Sequence, residues 1–236
     1  MINYSLFQRV ALLAGAEFLE KLGRVNVLVF GLGGVGSWCA EALVRSGLGK
    51  IGIIDYDSVC ESNINRQIQA TNLTVGHNKA EVLRQRLLEI NPKCEVITWT
   101  EAFSKENSAC FGIEKADYVI DAIDSIDAKL DLIEACFTAG VKLFSSMGMA
   151  RKMDPTRIKT AGIWETQNCP LAKMVRQRLR KRGFSGSFIT VYSDEPPIKQ
   201  AATEQHVNGS VVTVTASAGM VLASLVLMGI TGEYER

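Results

Sequence analysis

The residues able to do chemistry stand early in the chain and in a definite order. Gly31, Gly33, Gly34 and Gly36 come first, then Asp55-Tyr56-Asp57, then Asn63, Arg66 and Gln67, then Lys79, and last Asp121 and Asp124 in DAIDS. Gly31, Gly33 and Gly36 hold the G-x-G-x-x-G spacing. Glycines there allow a tight turn and let backbone N–H groups approach phosphate oxygens at a helix amino terminus. The spacing alone is weak, and suits a nicotinamide or flavin oxidoreductase with Asp55 on a ribose hydroxyl. The polar run after Asp55 departs from that reading, because hydride transfer favours an apolar nicotinamide pocket. Arg66 offers a planar fork of donors to a phosphate, and Lys79 adds a point charge. Asp121 and Asp124 stand at the carboxyl end of an expected strand, where open α/β sheets bind ligands. Carboxylates facing an arginine and a lysine suit a magnesium-bound triphosphate, so the expected chemistry is nucleotidyl transfer. Singly, Asp55 reads as a turn residue, Asp121 as a helix cap, and Arg66 and Lys79 as solvated charges. Their joint order carries the functional reading.

The elements that must position these residues follow from periodicity. YSLFQRVALLAGAEFLEKLG has helical spacing and predicts one helix or two before the first strand. VNVLVF is a continuous apolar run, as a strand buried on both faces requires. A helix is expected from Val35 to Ser46, a strand from Lys50 to Ile54, and a helix in GHNKAEVLRQRLLEI that Asn91-Pro92 stops. CEVITWT, ADYVIDAID and VKLFSSMG read as strands, with a helix in AKLDLIEACFTAG. This alternation predicts an α/β fold, a Rossmann-like doubly wound and mostly parallel sheet with a C-terminal appendage. Beyond Gly148 the rhythm changes: a strand at TRIKTAGI, a basic helix LAKMVRQRLRKRG, and a polar loop after Tyr192. The expectation is a single domain over 1–236, with an ATP-binding part at 1–150 and a substrate-binding, dimer-forming appendage at 151–236.

Composition bounds the function. The 236 residues are 47% hydrophobic and 22% charged, enough for a buried core, and the net charge of +1 excludes a globally basic nucleic-acid binder. Positive charge concentrates locally in Lys173, Arg176, Arg178, Arg180, Lys181 and Arg182, which suits phosphate-backbone steering or a plainly solvated helix. MINYSLFQRVALL has no charged region, apolar stretch and cleavage site in succession, so no export signal is expected. The cysteines contain no Cys-x-x-Cys pair, which argues against structural zinc and for reduced, mostly buried thiols in the cytoplasm. Cys169, before Pro170, is the thiol to watch for reactivity, although a structural, buried thiol is the preferred reading. The run SVVTVTASAGMVLASLVLMGITG is apolar enough for a membrane span. A helix buried on all sides has the same composition and is preferred, with peripheral membrane association left open.

In GLGGVGS, DYDSVCESNINRQ, GHNKAE and DAIDS, residues 1–150 resemble the E1-like activating enzymes, the superfamily of the thiamine and molybdopterin sulfur-carrier adenylyltransferases. The resemblance implies a ribose contact at Asp55 and triphosphate contacts from Asn63, Arg66 and Lys79. It places the glycines, Asp57, Gln67 and Asp121 around ATP, and Asp124 on Mg²⁺ or near the reacting phosphate. Arg9 matches an arginine that reaches into a neighbouring subunit's site, which implies a homodimer. Catalytic roles fall to Arg9, Arg66, Lys79 and Asp124. The carrier-activating members commonly hold zinc on two Cys-x-x-Cys pairs, absent here, so no zinc is expected. The elements around DPTRI and PLAKMVRQRLRK resemble instead the branch of tRNA threonylcarbamoyladenosine dehydratases, although Cys169 stands where many members carry an acid. That branch implies a tRNA bearing threonylcarbamoyladenosine as substrate, with its carboxylate adenylylated by ATP and then cyclised with release of AMP. A monovalent cation (Na⁺ or K⁺) and a cysteine desulfurase or sulfur-acceptor partner are implied by resemblance only. The alternative is an adenylyltransferase acting on the carboxyl terminus of a ubiquitin-like sulfur carrier.

Overall fold

Side-chain alternation splits each strand between two cores, as the two-residue period of a strand requires. In β1 (Asn26–Phe30), Val27 and Val29 join one cluster, while Leu28 and Phe30 join the other. In β2 (Lys50–Ile54), Ile51 and Ile53 face the first core and Ile54 the second. A strand covered on both faces can therefore be apolar throughout, which is why these segments read as unbroken runs.

The computed structural model describes residues 5–199 and 208–232. Its remaining strands are β3 (Glu95–Trp99), β4 (Tyr118–Asp121), β5 (Lys142–Ser146), β6 (Ile158–Gly162) and β7 (Ile189–Ser193). Together they form a seven-stranded sheet in the order β3-β2-β1-β4-β5-β7-β6. Every pairing is parallel except β6 with β7. The helices are α1 (Gln8–Ala14), α2 (Ala16–Leu22), α3 (Gly36–Ser46), α4 (Lys79–Ile90), α5 (Ile126–Ala139), α6 (Pro170–Lys181) and α7 (Val212–Thr231). Residues of α2, α3, α4 and α7 fill the first core, and residues of α5 and α6 fill the second. This is the doubly wound, Rossmann-like arrangement that the alternation of elements predicts.

Local chemistry sets the boundaries. Gly15, at φ +90°, separates α1 from α2. The Asn78 side chain accepts the N–H groups of Ala80 and Glu81 at 2.9 and 3.2 Å, capping α4 so that Lys79 is its first residue. The chain leaves β1 toward β2 and leaves β4 toward β5, in opposite directions along the sheet. A crevice therefore opens at the carboxyl ends of β1 and β4.

The residues after Gly148 continue the same sheet. β7 pairs with β5 on one side and β6 on the other, and no periodic signal announces it between the basic helix and the polar loop. That expected loop lies partly outside the described residues. α7 buries Val214, Ala218, Leu222 and Val226 at four-residue spacing, and its Gly219 abuts Val35, where a Cβ would lie 2.5 Å from the carbonyl oxygen. The helix is long and apolar enough to cross a membrane by length and composition. In this fold one face is core and the other leaves Met220 and Met228 exposed. Within one chain the helix is therefore buried on one face, and the expectation of burial inside a domain or dimer is met by the fold on that face alone.

Candidate active site

Gly31 ends β1 at φ +86°, and a Cβ there would lie 2.6 Å from the carbonyl oxygen of Ala122, which follows β4. Only glycine lets the phosphate-type loop and the end of β4 come this close. Asp55, at the end of β2, braces the loop: its carboxylate accepts the N–H of Leu32 at 2.7 Å and that of Asp57 at 2.9 Å. The Ser37 hydroxyl donates to the Gly33 carbonyl at 2.7 Å, closing the first turn of α3 onto the same loop.

These elements frame a cavity of about 780 Å³. Its floor carries Gly31, Gly33 and Gly34, and its polar wall carries Asp55, Asp57, Asn63, Arg66, Gln67 and Lys79. Asp124 faces them from the turn after β4. Phe30, Ile54, Phe103 and Ile123 make an apolar end suited to a base. The opposite end is built by Met147, Gly148, Met149 and Ala150 after β5, with Leu171 of α6 and Asn208, Ser210 and Thr215. These last residues carry no motif, and the sequence pattern did not single them out.

The charges are held before any ligand arrives. Lys79 is buried, with its Nζ 2.7 Å from the half-exposed carboxylate of Asp57, whose carbonyl also accepts the Lys79 backbone N–H at 2.9 Å. The Arg66 guanidinium donates to the Ser62 carbonyl at 2.6 Å and the Asn65 side chain at 2.9 Å. Asn65 in turn donates to the Ser210 carbonyl at 2.9 Å, joining this arm to the far end of the cavity. Asn63 is buried and caps its own turn by accepting the Cys60 N–H at 3.1 Å.

The carboxylates and Lys79 share one electrostatic environment. Burial raises the Asp55 carboxyl above its ordinary 3.8, against the opposing pull of Lys79 and its two backbone donors. The Tyr56 phenol is raised from 10.0 chiefly by Asp57, then by burial, Asp124 and Asp55. Three carboxylates therefore act on Tyr56, with Lys79 as the cation among them. Among the described residues no group of three or more His, Cys, Asp or Glu side chains is gathered to hold a metal ion. A magnesium ion here would take Asp124 and draw its other ligands from phosphate and water, its usual habit in nucleotide sites.

Several expected residues fall elsewhere. Asp121 does not line the cavity. It is fully buried behind it, ion-paired to the equally buried Lys129 at 2.7 Å, because as the last residue of β4 it turns inward while the following turn carries Asp124 outward. Gly36 is also outside the lining; it starts α3, where a Cβ would strike the Gly31 carbonyl. Arg9 is exposed on α1, away from this chain's own cavity.

The basic helix is mostly engaged within the molecule. Arg178 pairs with Asp127 at 2.5 Å, and Arg182 with Asp131 at 2.6 Å and Glu134 at 3.0 Å, all on α5. Arg176 donates to Thr166, and Arg180 lies over the Trp164 ring, 5.3 Å from its centroid. Lys173 and Lys181 are exposed and have no ion-pair partner among the described residues. Cys169 is buried at the start of α6; Cys94 and Cys136 are pushed by burial to about 12 and Cys39 higher still, so only Cys60 and Cys110 are exposed thiols.

The ThiF family model matches residues 7–236. The tRNA threonylcarbamoyladenosine dehydratase of Bacillus subtilis is 45% identical over 81% of this chain and 76% of that protein. Tertiary structure gives a similar result. The E. coli tRNA N6-threonylcarbamoyladenosine dehydratase solved with AMP superposes with a TM-score of 0.92 at 34% identity, over 99% of this chain and 96% of that one. The same enzyme solved with ATP superposes at 0.90 and 35% identity, with the same coverage.

Proposed function

Because this chain belongs to the ThiF family, we propose that it is an ATP-dependent tRNA threonylcarbamoyladenosine dehydratase. The observation that carries this reading is the cavity at the β1–β4 crevice, where Asp55, Arg66, Lys79 and Asp124 surround one nucleotide-sized space. In this reading each part of the cavity meets one part of ATP. The Phe30–Ile54–Phe103 end takes the base, Asp55 the ribose, and the Gly31–Gly34 backbone with Arg66 and Lys79 the phosphates.

The threonylcarbamoyl carboxylate attacks the α-phosphorus, and pyrophosphate leaves. Lys79 moves from Asp57 to the phosphate chain, and Arg66 holds the charge that develops on the transferring group. A nucleophile of the substrate itself then attacks the activated carbonyl carbon, closing a ring and expelling AMP with the carboxylate oxygen. Water is lost overall. Asp124 would hold a magnesium ion, which would supply charge neutralisation at the phosphate oxygens.

Arg9 acts in a homodimer, reaching the cavity of the neighbouring chain. Its helix exposes Leu12 and Leu13 at 77% and 90%, an apolar face suited to a partner subunit. The tRNA lies along α6, with Lys173 and Lys181 as its free cations. The reaction takes place in the cytoplasm, and any sulfur-transfer partner would meet Cys60 or Cys110.

The test is incubation with ATP, Mg²⁺ and tRNA bearing threonylcarbamoyladenosine, followed by gentle digestion and mass analysis of the nucleosides. The expected product is lighter by one water and forms only with ATP. An unchanged nucleoside, with an adenylyl group appearing on an added ubiquitin-like carrier, would instead mark a carrier adenylyltransferase.

A further inference from the structure

Behind the cavity lies a charge network that the reaction above leaves unused. Lys129 on α5 and Asp121 at the end of β4 are both fully buried, with Nζ 2.7 Å from Oδ2. The same Oδ2 accepts the Ser145 hydroxyl at 2.5 Å, while Oδ1 accepts the Ile123 N–H at 3.1 Å. Lys129 also donates to the Ser146 carbonyl at 3.1 Å. Each group is satisfied, yet burying two charges is costly, and apolar side chains of similar volume would hold such a space at least as well. Stability alone is a poor account of the pair.

The geometry supplies a better one. Ile123 is the backbone neighbour of Asp124, and its N–H is fastened by Asp121. Ser146, fastened by Lys129, is followed by Met147 on the substrate end of the cavity. Ala122, between the two aspartates, is the residue whose carbonyl meets Gly31. One buried carboxylate and one buried ammonium thus tie together the ends of β4 and β5, and Ala122 and Ile123 after β4 and Ser146 at the end of β5 line the cavity.

We propose that Asp121, Lys129 and Ser145 form a positioning network that holds the Asp124 carboxylate and the Ser146–Met147 wall in place before substrate arrives. The proposal rests on the dehydratase reading for the role of Asp124. Its physical content is preorganisation: a carboxylate facing developing charge works only if it need not move at the moment of reaction. Removing groups that orient a metal-facing carboxylate typically costs about 10–100-fold in affinity or activity.

The test uses the full chain as wild type, as the double variant Asp121→Asn/Lys129→Met, which leaves no buried charge unpaired, and as Ser145→Ala, which removes a single donor. Three quantities are measured: the melting temperature, ATP affinity by titration with and without magnesium, and turnover of modified tRNA. The double variant is expected to melt near wild type and to bind magnesium-free ATP equally well. It should lose most of the affinity that magnesium adds, with kcat lower by about 10–100-fold. A folded double variant with wild-type kcat and magnesium response overturns the proposal. If the double variant does not fold, Ser145→Ala decides by the same split between binding and turnover, and wild-type behaviour there overturns it. A wild-type protein that binds no magnesium–ATP overturns the dehydratase reading together with the network. One that turns over normally beside an indifferent folded variant overturns the network alone.

Discussion

Asp124 and Asp55 are both carboxylates at strand ends, yet their surroundings give them opposite tasks. Asp124 is exposed to the cavity and accepts no hydrogen bond from the described residues of the loops around it. Asp124→Asn is expected to lower turnover by about 100-fold or more with the melting temperature unchanged, since it removes a charge aimed at the transferring group. Wild-type rates would remove Asp124 from the chemistry. Asp55 is buried, and its carboxyl lies above 3.8 because desolvation outweighs Lys79 and the backbone donors. The native state therefore holds this proton more tightly than the unfolded chain does. The resulting stability is complete below about pH 3.8 and is lost as pH rises through the native value. Asp55→Asn abolishes that dependence. The difference in melting temperature between variant and wild type should move in the variant's favour as pH rises from about 3 to about 7. A constant difference would show that Asp55 is not the titrating group. Both roles were legible as residue types in order. What the order could not show is which of Asp121 and Asp124 lines the cavity, because that depends on where β4 stops.

The helices show how far an amphipathic pattern can be trusted. α6 reads as a cationic face seeking phosphate, but Arg178 and Arg182 find their counter-ions on α5, fifty-one and forty-eight or more positions away in the chain. Exposed pairs of this kind contribute little to stability, about 0–1 kcal/mol each, but they do lower the charge available to a tRNA. Lys173→Gln with Lys181→Gln should therefore weaken tRNA binding and reduce its salt dependence by about one unit of slope per lysine. Arg178→Gln should have the smaller effect, read by the same salt titration. Equal losses from all three sites would mean that the α5 pairs open on binding. α5 holds a signal of its own. Lys129 shares the buried face of the helix with Ile133 and Cys136, at spacings of four and seven residues. A lysine on that stripe marks a buried cation with a partner, and the pattern could have located the network behind the site.

At the scale of the whole molecule, Arg9 is the residue that does not fit within one chain. It stands on α1, a helix without a buried residue, while the cavity it is expected to serve is bounded by other elements. Mixing Arg9→Ala chains with Asp124→Asn chains should restore part of the lost turnover, because one of the two mixed sites would combine an intact Arg9 with an intact Asp124. Verified heterodimers without recovered activity would place Arg9 outside the chemistry or within its own chain. The sequence by itself determined the parallel, doubly wound sheet and the phosphate-type loop. Those depend on local quantities: the period of apolar residues, the caps at Asn78 and Gly15, and glycines where no side chain fits. Tertiary structure alone decided that β7 completes the sheet between β5 and β6, that α7 buries one face against α3, and that Asp121 pairs with Lys129 while Asp124 lines the cavity. Each of these is a pairing between distant segments. Periodicity states which face of an element is buried and carries no information about what will bury it.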